Sequence, residues 1–172
     1  MLRKIAITGP ESTGKSWLAQ RLAQEFYTIW IPEYAREYLS GKDTAYVLED
    51  VVEIAKGQLA HEHRMIDKAN QFLFSDTEML VCKIWTDFVF NQIPDFIEQA
   101  FENQYYDLYL LCDIDLPWEP DPLREHPNSR QIIFDKYKME LTQANLPFAV
   151  ISGFGENRLK HAINVIHERF SD

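Results

Sequence analysis

Apolar and polar positions along the chain predict strands and helices that follow one another in turn. Apolar runs of four to seven residues, typical of buried strands, are separated by segments whose apolar residues recur every three or four positions, as on one helix face. The predicted strands are 3–8, 27–31, 71–76, 107–113 and 148–151, and the predicted helices are 17–26, 33–39, 44–69, 77–91, 94–103, 131–144 and 156–170. This alternation predicts an α/β fold, a five-stranded parallel sheet in the order 2-3-1-4-5 with helices on both faces.

The segment 116–130 interrupts this alternation and contains four of the eight prolines. It is predicted to be a loop, because proline lacks the N–H group that helices and sheets use. Loops of this length in a small domain are usually functional, so we expect a lid that closes over a ligand. The length of 172 residues fits one domain, residues 1–172.

A glycine-rich motif stands between the first predicted strand and the first predicted helix. Gly9–Ser16 reads G-P-E-S-T-G-K-S and matches the G-x-x-x-x-G-K-[ST] pattern of a phosphate-binding P-loop. Its glycines let backbone N–H groups point at phosphate, and the helix N-terminus adds partial positive charge. We expect Lys15 to contact the β- and γ-phosphates of ATP and Ser16 to bind Mg²⁺. The predicted nucleotide-binding residues here are Gly9, Glu11, Ser12, Thr13, Gly14, Lys15, Ser16 and Trp17.

Acidic side chains follow several other strands of the predicted sheet. Because ligands of such sheets bind at the carboxyl ends of the strands, these acids are candidate functional groups. Asp76 ends the third strand, where a carboxylate can bind Mg²⁺ or accept a proton from an attacking hydroxyl; the alternative is an N-cap of the next helix. Asp113, after the fourth strand, is the weaker candidate for the metal. Glu33 and Arg36 follow the second strand and are candidate substrate ligands.

Basic and aromatic side chains complete the set of candidates. Arg124 and Arg130 lie in and just after the proline-rich segment, where they can neutralise the charge that develops during phosphoryl transfer once a lid closes. Lys83 is a candidate substrate ligand or, alternatively, a surface lysine. The aromatic candidates for holding a planar base are Tyr34, Trp85 and Trp118, and core packing is the alternative for each.

Charge and composition narrow the classes of partner. The net charge of −10 repels nucleic acid and anionic membranes, so we expect a small-molecule substrate, while the oligomeric state stays open. The same charge repels ATP, so a phosphate site needs local cations. No apolar run approaches the length of a membrane span, the two cysteines indicate no disulfide framework, and we expect a cytoplasmic protein. The sequence His61-Glu62-His63 is not predicted to bind a metal, because residues two apart do not share a helix face.

Several segments together resemble one known family. They are Ile5–Ser16, W-I-P-E-Y-A-R-E-Y at 30–38, I-A-K-G-Q at 54–58, D-T-E-M-L at 76–80, K-I-W at 83–85 and P-W-E-P-D at 117–121. The combination is similar to the ribosylnicotinamide kinase domain of bacterial NadR-type proteins and covers nearly the whole chain. Pro122 departs from the family's pattern, in which a glycine is expected in the lid.

The resemblance implies a P-loop kinase fold and ATP-dependent phosphorylation of the ribose 5′-hydroxyl of nicotinamide riboside, giving the mononucleotide. It implies that Asp76 orients or deprotonates this hydroxyl and that Glu33 and Arg36 lie near the ribose. It also places the turn with Gly153 and Arg158 near the adenine, and it implies a stand-alone kinase module. Nicotinamide riboside is a cation, which suits carboxylates and aromatic faces.

The residues alone leave two other functions open. One is a P-loop kinase for another nucleoside or a nucleoside monophosphate, although a monophosphate would favour more arginines near the second and third strands, where chiefly Arg36 occurs. The other is a non-enzymatic regulatory ATPase. The N-K-x-D and D-x-x-G patterns of guanine-specific switches do not occur, and the third strand ends in Asp76-Thr77 instead of the acid pair typical of ring ATPases.

Overall fold

Five parallel strands form one sheet in the order β2-β3-β1-β4-β5, which confirms the predicted order. The computed structural model describes residues 1–171. The strands are β1 Arg3–Thr8, β2 Trp30–Ile31, β3 Phe72–Asp76, β4 Leu108–Cys112 and β5 Phe148–Ile151. The helices are α1 Lys15–Glu25, α2 Tyr34–Leu39, α3 Leu48–Met65, α4 Met79–Phe90, α5 Asp95–Asn103, α6 Arg130–Gln143 and α7 Gly155–Phe170, with a 3₁₀ turn Ile66–Lys68 after α3.

Alternate side chains of the central strand β1 enter two separate hydrophobic layers. Ile5 and Ile7 pack with apolar residues of α1 and α7 on one face of the sheet. Ala6 packs on the other face, where the layer is built from α3, α4, α5 and α6. All three side chains are fully buried. The strand that leads into the P-loop is therefore fixed from both faces, as its continuous apolar run predicts.

Two predicted elements have different bounds in the structure. The second strand is only Trp30–Ile31. Tyr27, where it was predicted to begin, has a φ of 50°, a left-handed conformation that a strand does not allow. The helix predicted over 44–69 begins at Leu48 and ends at Met65. Its start is set by Asp50, whose carboxylate accepts the Val47 N–H over 2.7 Å and so caps the first turn.

The chain between β4 and α6, residues 113–129, forms neither helix nor strand, as its prolines predict. It crosses the P-loop and encloses a cavity together with the segments that follow β1 and β2. None of the helices in residues 1–171 combines the length and the apolar character that crossing a membrane requires.

Candidate active site

The P-loop folds into a compact turn at the N-terminus of α1. Gly14 caps α1 with a φ of 75°, and Gly9 has a φ of 133°, both conformations that favour glycine. A side chain at Gly9 would also meet the Cys112 carbonyl oxygen at 3.0 Å. The Lys15 ammonium donates to the Pro10 carbonyl oxygen over 2.8 Å. The loop thus presents the free N–H groups of the first turn of α1 together with a lysine, the arrangement that phosphate binding needs.

Asp76 is a buried carboxylate without a hydrogen-bond partner. It ends β3, directly beside β1, and its side chain is 1% exposed, with neither oxygen accepting a hydrogen bond. Burial, followed by the negative charge of Glu33, raises the pKa of Asp76 to about 7. The nearby side chain of Ser16 and the positive charges of Lys15 and Arg36 lower this pKa, but by less than burial and Glu33 raise it. A buried polar atom without a partner is rare, and such atoms concentrate where a ligand or a proton is to be received.

The helix cap that competes with a functional role for Asp76 belongs to Glu78. The Glu78 carboxylate accepts the Leu80 N–H over 2.6 Å at the start of α4 and the Thr8 hydroxyl over 2.9 Å. Complete burial raises the pKa of Glu78 to about 7, and these two donors lower it. Since Glu78 caps α4, the Asp76 carboxylate has no structural task among the described residues.

The turn after β3 is held by an amide that the sequence analysis did not assign to the site. Gln58 of α3 is buried and donates from Nε2 to the carbonyl oxygens of Asp76 and Thr77, over 3.4 and 3.1 Å. Its Oε1 accepts the Tyr34 N–H over 2.8 Å. The one signal in the sequence is a polar residue among the apolar positions of α3, four residues after Ile54.

Glu33 and Arg36 form a charged pair at the rim of the cavity. The Arg36 Nε lies 3.2 Å from a Glu33 carboxylate oxygen, and its NH1 donates to the Asp121 carboxylate over 3.0 Å. The second contact joins α2 to the loop that crosses the P-loop. Arg36 is therefore neutralised twice and does not offer a free positive charge to the cavity.

The P-loop binds the crossing loop through two of its own side chains. The Glu11 carboxylate accepts the N–H groups of Glu125 and His126, over 3.2 and 3.0 Å. The Ser12 hydroxyl accepts the Glu119 N–H over 2.9 Å. These contacts place the crossing loop directly over the phosphate-binding loop.

Two arginines add positive charge at this junction. Arg124 donates to the Glu119 carbonyl oxygen over 2.5 Å and to the Ser12 hydroxyl over 3.4 Å. Arg130 donates to the carbonyl oxygens of Leu116 and Ser12, over 2.8 and 3.3 Å. Among residues 1–171, neither arginine nor Lys15 has a carboxylate within ion-pair distance. These three uncompensated cations are the local positive charge that an acidic protein needs to attract phosphate.

The cavity has a volume of about 540 Å³ and connects the P-loop to an apolar compartment. One end is formed by Gly9–Trp17, with Gly155 and Arg158 nearby. The rest of the lining is mainly apolar and includes Ala35, Leu39, Val81, Ile84, Trp85, Phe88, Val89, Ile133 and Tyr137. Its shape and chemistry suit a ligand with a phosphate end and a planar apolar end.

Most of the predicted site residues lie at this cavity. Those that line it are Gly9, Glu11, Ser12, Thr13, Gly14, Lys15, Ser16, Trp17, Glu33, Arg36, Trp85, Arg124 and Arg158. Asp76 lies beneath its surface, beside Ser16 and Lys15, and Arg130 lies at its edge through contacts with Ser12 and Leu116. The roles of these residues stay predictions.

Three residues predicted to bind substrate do not line the cavity. The Lys83 ammonium forms ion pairs with Glu98 and Glu140, each over 2.9 Å, on another side of α4. The Tyr34 ring fills the space above Gly57 of α3, so tightly that a side chain at Gly57 would overlap it. The Trp118 ring lies 5.9 Å from the Arg130 guanidinium, outside the cavity wall. Their assignment to the substrate stays a prediction, for which this cavity gives no support.

Two further candidates are occupied by structural hydrogen bonds. Asp113 accepts the Ser152 hydroxyl and the Ile114 N–H, each over 2.8 Å, so its carboxylate is engaged where that of Asp76 is free. Gly153 donates its N–H to Asp115 over 2.6 Å and does not line the cavity. Of the two candidate metal ligands, the structure favours Asp76. Its carboxylate and the neighbouring Ser16 hydroxyl are oxygen ligands of the kind that Mg²⁺ accepts.

Because the pKa values of Asp76 and Glu78 are raised, we expect the free energy of unfolding to fall as the pH rises from about 4 to about 7. In this range the unfolded chain loses the protons of Asp76 and Glu78, whose ordinary pKa values are 3.8 and 4.5, while the folded protein keeps them. The free energy of unfolding should then level off above about pH 7. Urea unfolding followed by circular dichroism at stepped pH values tests this.

The pH dependence has an internal control in Asp76→Asn. The difference in unfolding free energy between this variant and the wild type should grow as the pH rises from about 4 to about 7, because only the wild type must ionise residue 76. Asp50, Asp115 and Asp121 have lowered pKa values and titrate below this range. A difference that stays constant with pH would contradict the raised pKa of Asp76.

A family model described as an AAA domain matches residues 4–158. Two curated relatives carry the name "Trifunctional NAD biosynthesis/regulator protein NadR", one from Escherichia coli strain K12 and one from Salmonella typhimurium strain LT2. Each is 31% identical over 127 residues, which cover 72% of this chain and 31% of the relative. The chain thus spans about a third of the length of these relatives.

Solved structures with the same fold include two kinds of protein. A NadR protein in complex with NR superposes with a TM-score of 0.81 at 23% identity, covering 99% of this chain and 51% of that chain. A thymidylate kinase from Ehrlichia chaffeensis superposes with a TM-score of 0.70 at 14% identity, covering 97% of this chain and 98% of that chain. The fold is therefore that of the P-loop kinases, as predicted.

Proposed function

The chain belongs to the AAA domain family of P-loop proteins, and from this premise we propose that it is an ATP- and Mg²⁺-dependent kinase for the 5′-hydroxyl of nicotinamide riboside. The product is nicotinamide mononucleotide. The relatives named NadR, and the resemblance of W-I-P-E-Y-A-R-E-Y and P-W-E-P-D to the kinase domain of that family, support this acceptor.

The strongest support for a phosphotransferase is the carboxylate of Asp76. It is buried without a partner at the end of β3 and lies beside Lys15 and Ser16 of the P-loop. With a pKa of about 7 it can accept a proton near neutral pH, which is the requirement for a general base.

The transfer step follows from these positions. The 5′-oxygen of the acceptor bonds to the γ-phosphorus of ATP, the bond from that phosphorus to the β,γ-bridging oxygen breaks, and ADP leaves. The hydroxyl proton passes to the carboxylate of Asp76. Lys15, Arg124 and Arg130 stabilise the charge that spreads over the transferred group, because no carboxylate neutralises them.

Ser16 and Asp76 are the residues that would hold Mg²⁺, which would neutralise phosphate charge when bound. The segment 116–130 acts as a lid in this proposal. Its contacts with Glu11 and Ser12 would exclude water from the phosphates and so favour transfer to the acceptor over hydrolysis. Arg158 and Gly155 also line the cavity, and this segment would adjoin the adenine.

The charges around the cavity favour a nucleoside acceptor over a nucleoside monophosphate. A monophosphate needs a free cation away from the P-loop, and Arg36, the candidate there, is paired with Glu33 and Asp121. Because Arg36 faces two carboxylates, Glu33 and Asp121, this group keeps a net negative charge. That charge and the aromatic side chain of Trp85 in the cavity wall suit a cationic ring such as nicotinamide riboside. The Glu78 carboxylate caps α4 and cannot form the second acid that a ring ATPase would use.

An acceptor screen tests the proposed function. ADP release is measured with Mg-ATP and, separately, nicotinamide riboside, common nucleosides, their monophosphates and 5′-deoxynicotinamide riboside, and products are identified by mass spectrometry. We expect the highest kcat/KM with nicotinamide riboside and no product from its 5′-deoxy analogue, which lacks the attacking hydroxyl. ADP release that is the same without acceptor would identify an ATPase, and a strong preference for another nucleoside would replace the proposed acceptor.

A further inference from the structure

The turn that carries Asp76 is strained, and α3 holds it in place. Thr77 has a φ of 76°, a left-handed conformation that is unfavourable for a β-branched residue. Its buried hydroxyl has no hydrogen-bond partner that would offset the strain locally. Strained backbone persists only where surrounding contacts fix it, and it is common at functional sites. The contacts that fix this turn therefore set the direction of the neighbouring Asp76 carboxylate.

Gln58 supplies those contacts from a buried position on α3. Its Nε2 donates to the carbonyl oxygens of both Asp76 and Thr77. Its Oε1 accepts the N–H of Tyr34, the first residue of α2. Carbonyl oxygens only accept and an N–H only donates, so this environment permits a single orientation of the amide.

The same residue therefore connects the two elements that flank the acceptor end of the cavity. The turn at Asp76 carries the proposed base, and α2 carries Glu33 at its N-cap and Arg36 in its last turn. Gly57 permits the close approach, because the Tyr34 ring occupies the space where any side chain at 57 would lie. One amide thus sets the spacing between the base and the charged pair at the rim.

We propose that Gln58 is a positioning residue that, through one amide, holds the strained turn at Thr77 and the start of α2, and thereby aligns Asp76 with the acceptor. This inference rests on the proposed phosphotransfer but concerns the alignment of the base and not the identity of the acceptor. Misplacing a reacting group by about 1 Å can lower a rate by about 100-fold, so a fixed turn has a direct kinetic value.

Two substitutions separate the two functions of the amide. Gln58→Glu keeps an oxygen for the Tyr34 N–H but replaces the donor to the turn by an oxygen that repels the two carbonyls. Gln58→Leu removes both contacts. Both variants should lower kcat by about 10- to 100-fold. Only Gln58→Leu should also raise the KM for nicotinamide riboside several-fold, and neither should change the KM for ATP much, because the P-loop is untouched.

A matched control is Gln104, an amide that binds the start of α4 and not the turn. It accepts the Met79 N–H over 3.0 Å and forms no hydrogen bond with residues 76 or 77. Gln104→Leu should lower the melting temperature and leave kcat within about twofold of the wild type. If the Gln58 variants also melt earlier but keep wild-type kcat below their melting temperatures, Gln58 is a structural residue only and the inference is wrong.

A rescue experiment tests the strain directly and does not depend on the stability of Gln58→Leu. Glycine adopts the left-handed conformation without penalty, so the turn should depend less on Gln58 when residue 77 is glycine. The double variant Gln58→Leu/Thr77→Gly should therefore turn over faster than Gln58→Leu or, where the single variant fails to fold, recover folded and partly active protein. A double variant that is no better than Gln58→Leu would contradict the role of the strained turn.

Hydrogen exchange provides a readout that does not use kinase activity. Amides 76–80 should exchange faster in Gln58→Leu than in the wild type, whereas in Gln104→Leu the increase should be confined to the start of α4. Unchanged exchange at 76–78 in Gln58→Leu would overturn the inference. Absence of kinase activity in the wild type, with faster exchange in the variant, would instead contradict the proposed function and leave the positioning contact established.

Discussion

Replacing Asp76 by asparagine is expected to lower kcat by at least about 100-fold while the protein folds normally and becomes more stable at neutral pH. Asparagine keeps the shape but cannot accept the hydroxyl proton and binds Mg²⁺ poorly. The gain in stability follows from the raised pKa, since ionising this buried carboxyl in the folded protein costs about 1.4 kcal/mol for each pKa unit. Steady-state kinetics with nicotinamide riboside and thermal melting at pH 8, on one preparation, measure both effects.

Asp113→Asn is the matched control for this prediction. Asp113 follows β4, on the other side of β1 from β3, but it accepts hydrogen bonds from Ser152 and Ile114. The substitution should therefore disturb the loop and change kcat by only a few-fold. The opposite result, with a nearly normal Asp76→Asn and an inactive Asp113→Asn, would transfer the role to Asp113. Loss of activity in Asp76→Asn together with a lower melting temperature at pH 8 would indicate a structural role for Asp76.

The second large effect is expected for Lys15→Ala, which should lower kcat by about 100- to 1,000-fold. Lys15 is the first residue of α1, and its ammonium, held by the Pro10 carbonyl oxygen, is free of carboxylate partners and can move to the phosphates. Its charge acts on the transferred group during bond breaking, so the loss should appear in kcat more than in acceptor KM. Initial-rate kinetics with varied ATP and acceptor measure both parameters.

Lys83→Ala is the control for Lys15→Ala, because it removes the same type of side chain outside the cavity. Lys83 pairs with Glu98 and Glu140 and should affect melting temperature more than kcat. Near-normal turnover in Lys15→Ala would remove the P-loop lysine from the mechanism. A large drop in kcat for Lys83→Ala would support the role in substrate binding that the sequence predicted.

Local patterns in the sequence were sufficient for the fold and for the phosphate end of the site. The P-loop is a contiguous motif between a strand and a helix, so its geometry depends on residues that are close along the chain. The strand order follows from parallel strands joined by helices, and the position of Asp76 follows from the end of an apolar strand. These features can be predicted from the period of the apolar pattern, the length of each apolar run and the direction of the chain.

Side-chain direction and pairing between distant elements were decided by the tertiary structure alone. The apolar pattern places Lys83 on α4 but does not say that Glu140 of α6, 57 positions later, lies beside it. The apolar pattern also does not show that the side chain that caps α4 is Glu78 and not Asp76. Gln58 joins α2, α3 and the turn after β3 through contacts up to 24 positions apart, and these exist only once the elements pack. Packing settles which polar groups find partners, and Asp76, one of the buried side chains left without a partner among the described residues, is the proposed base.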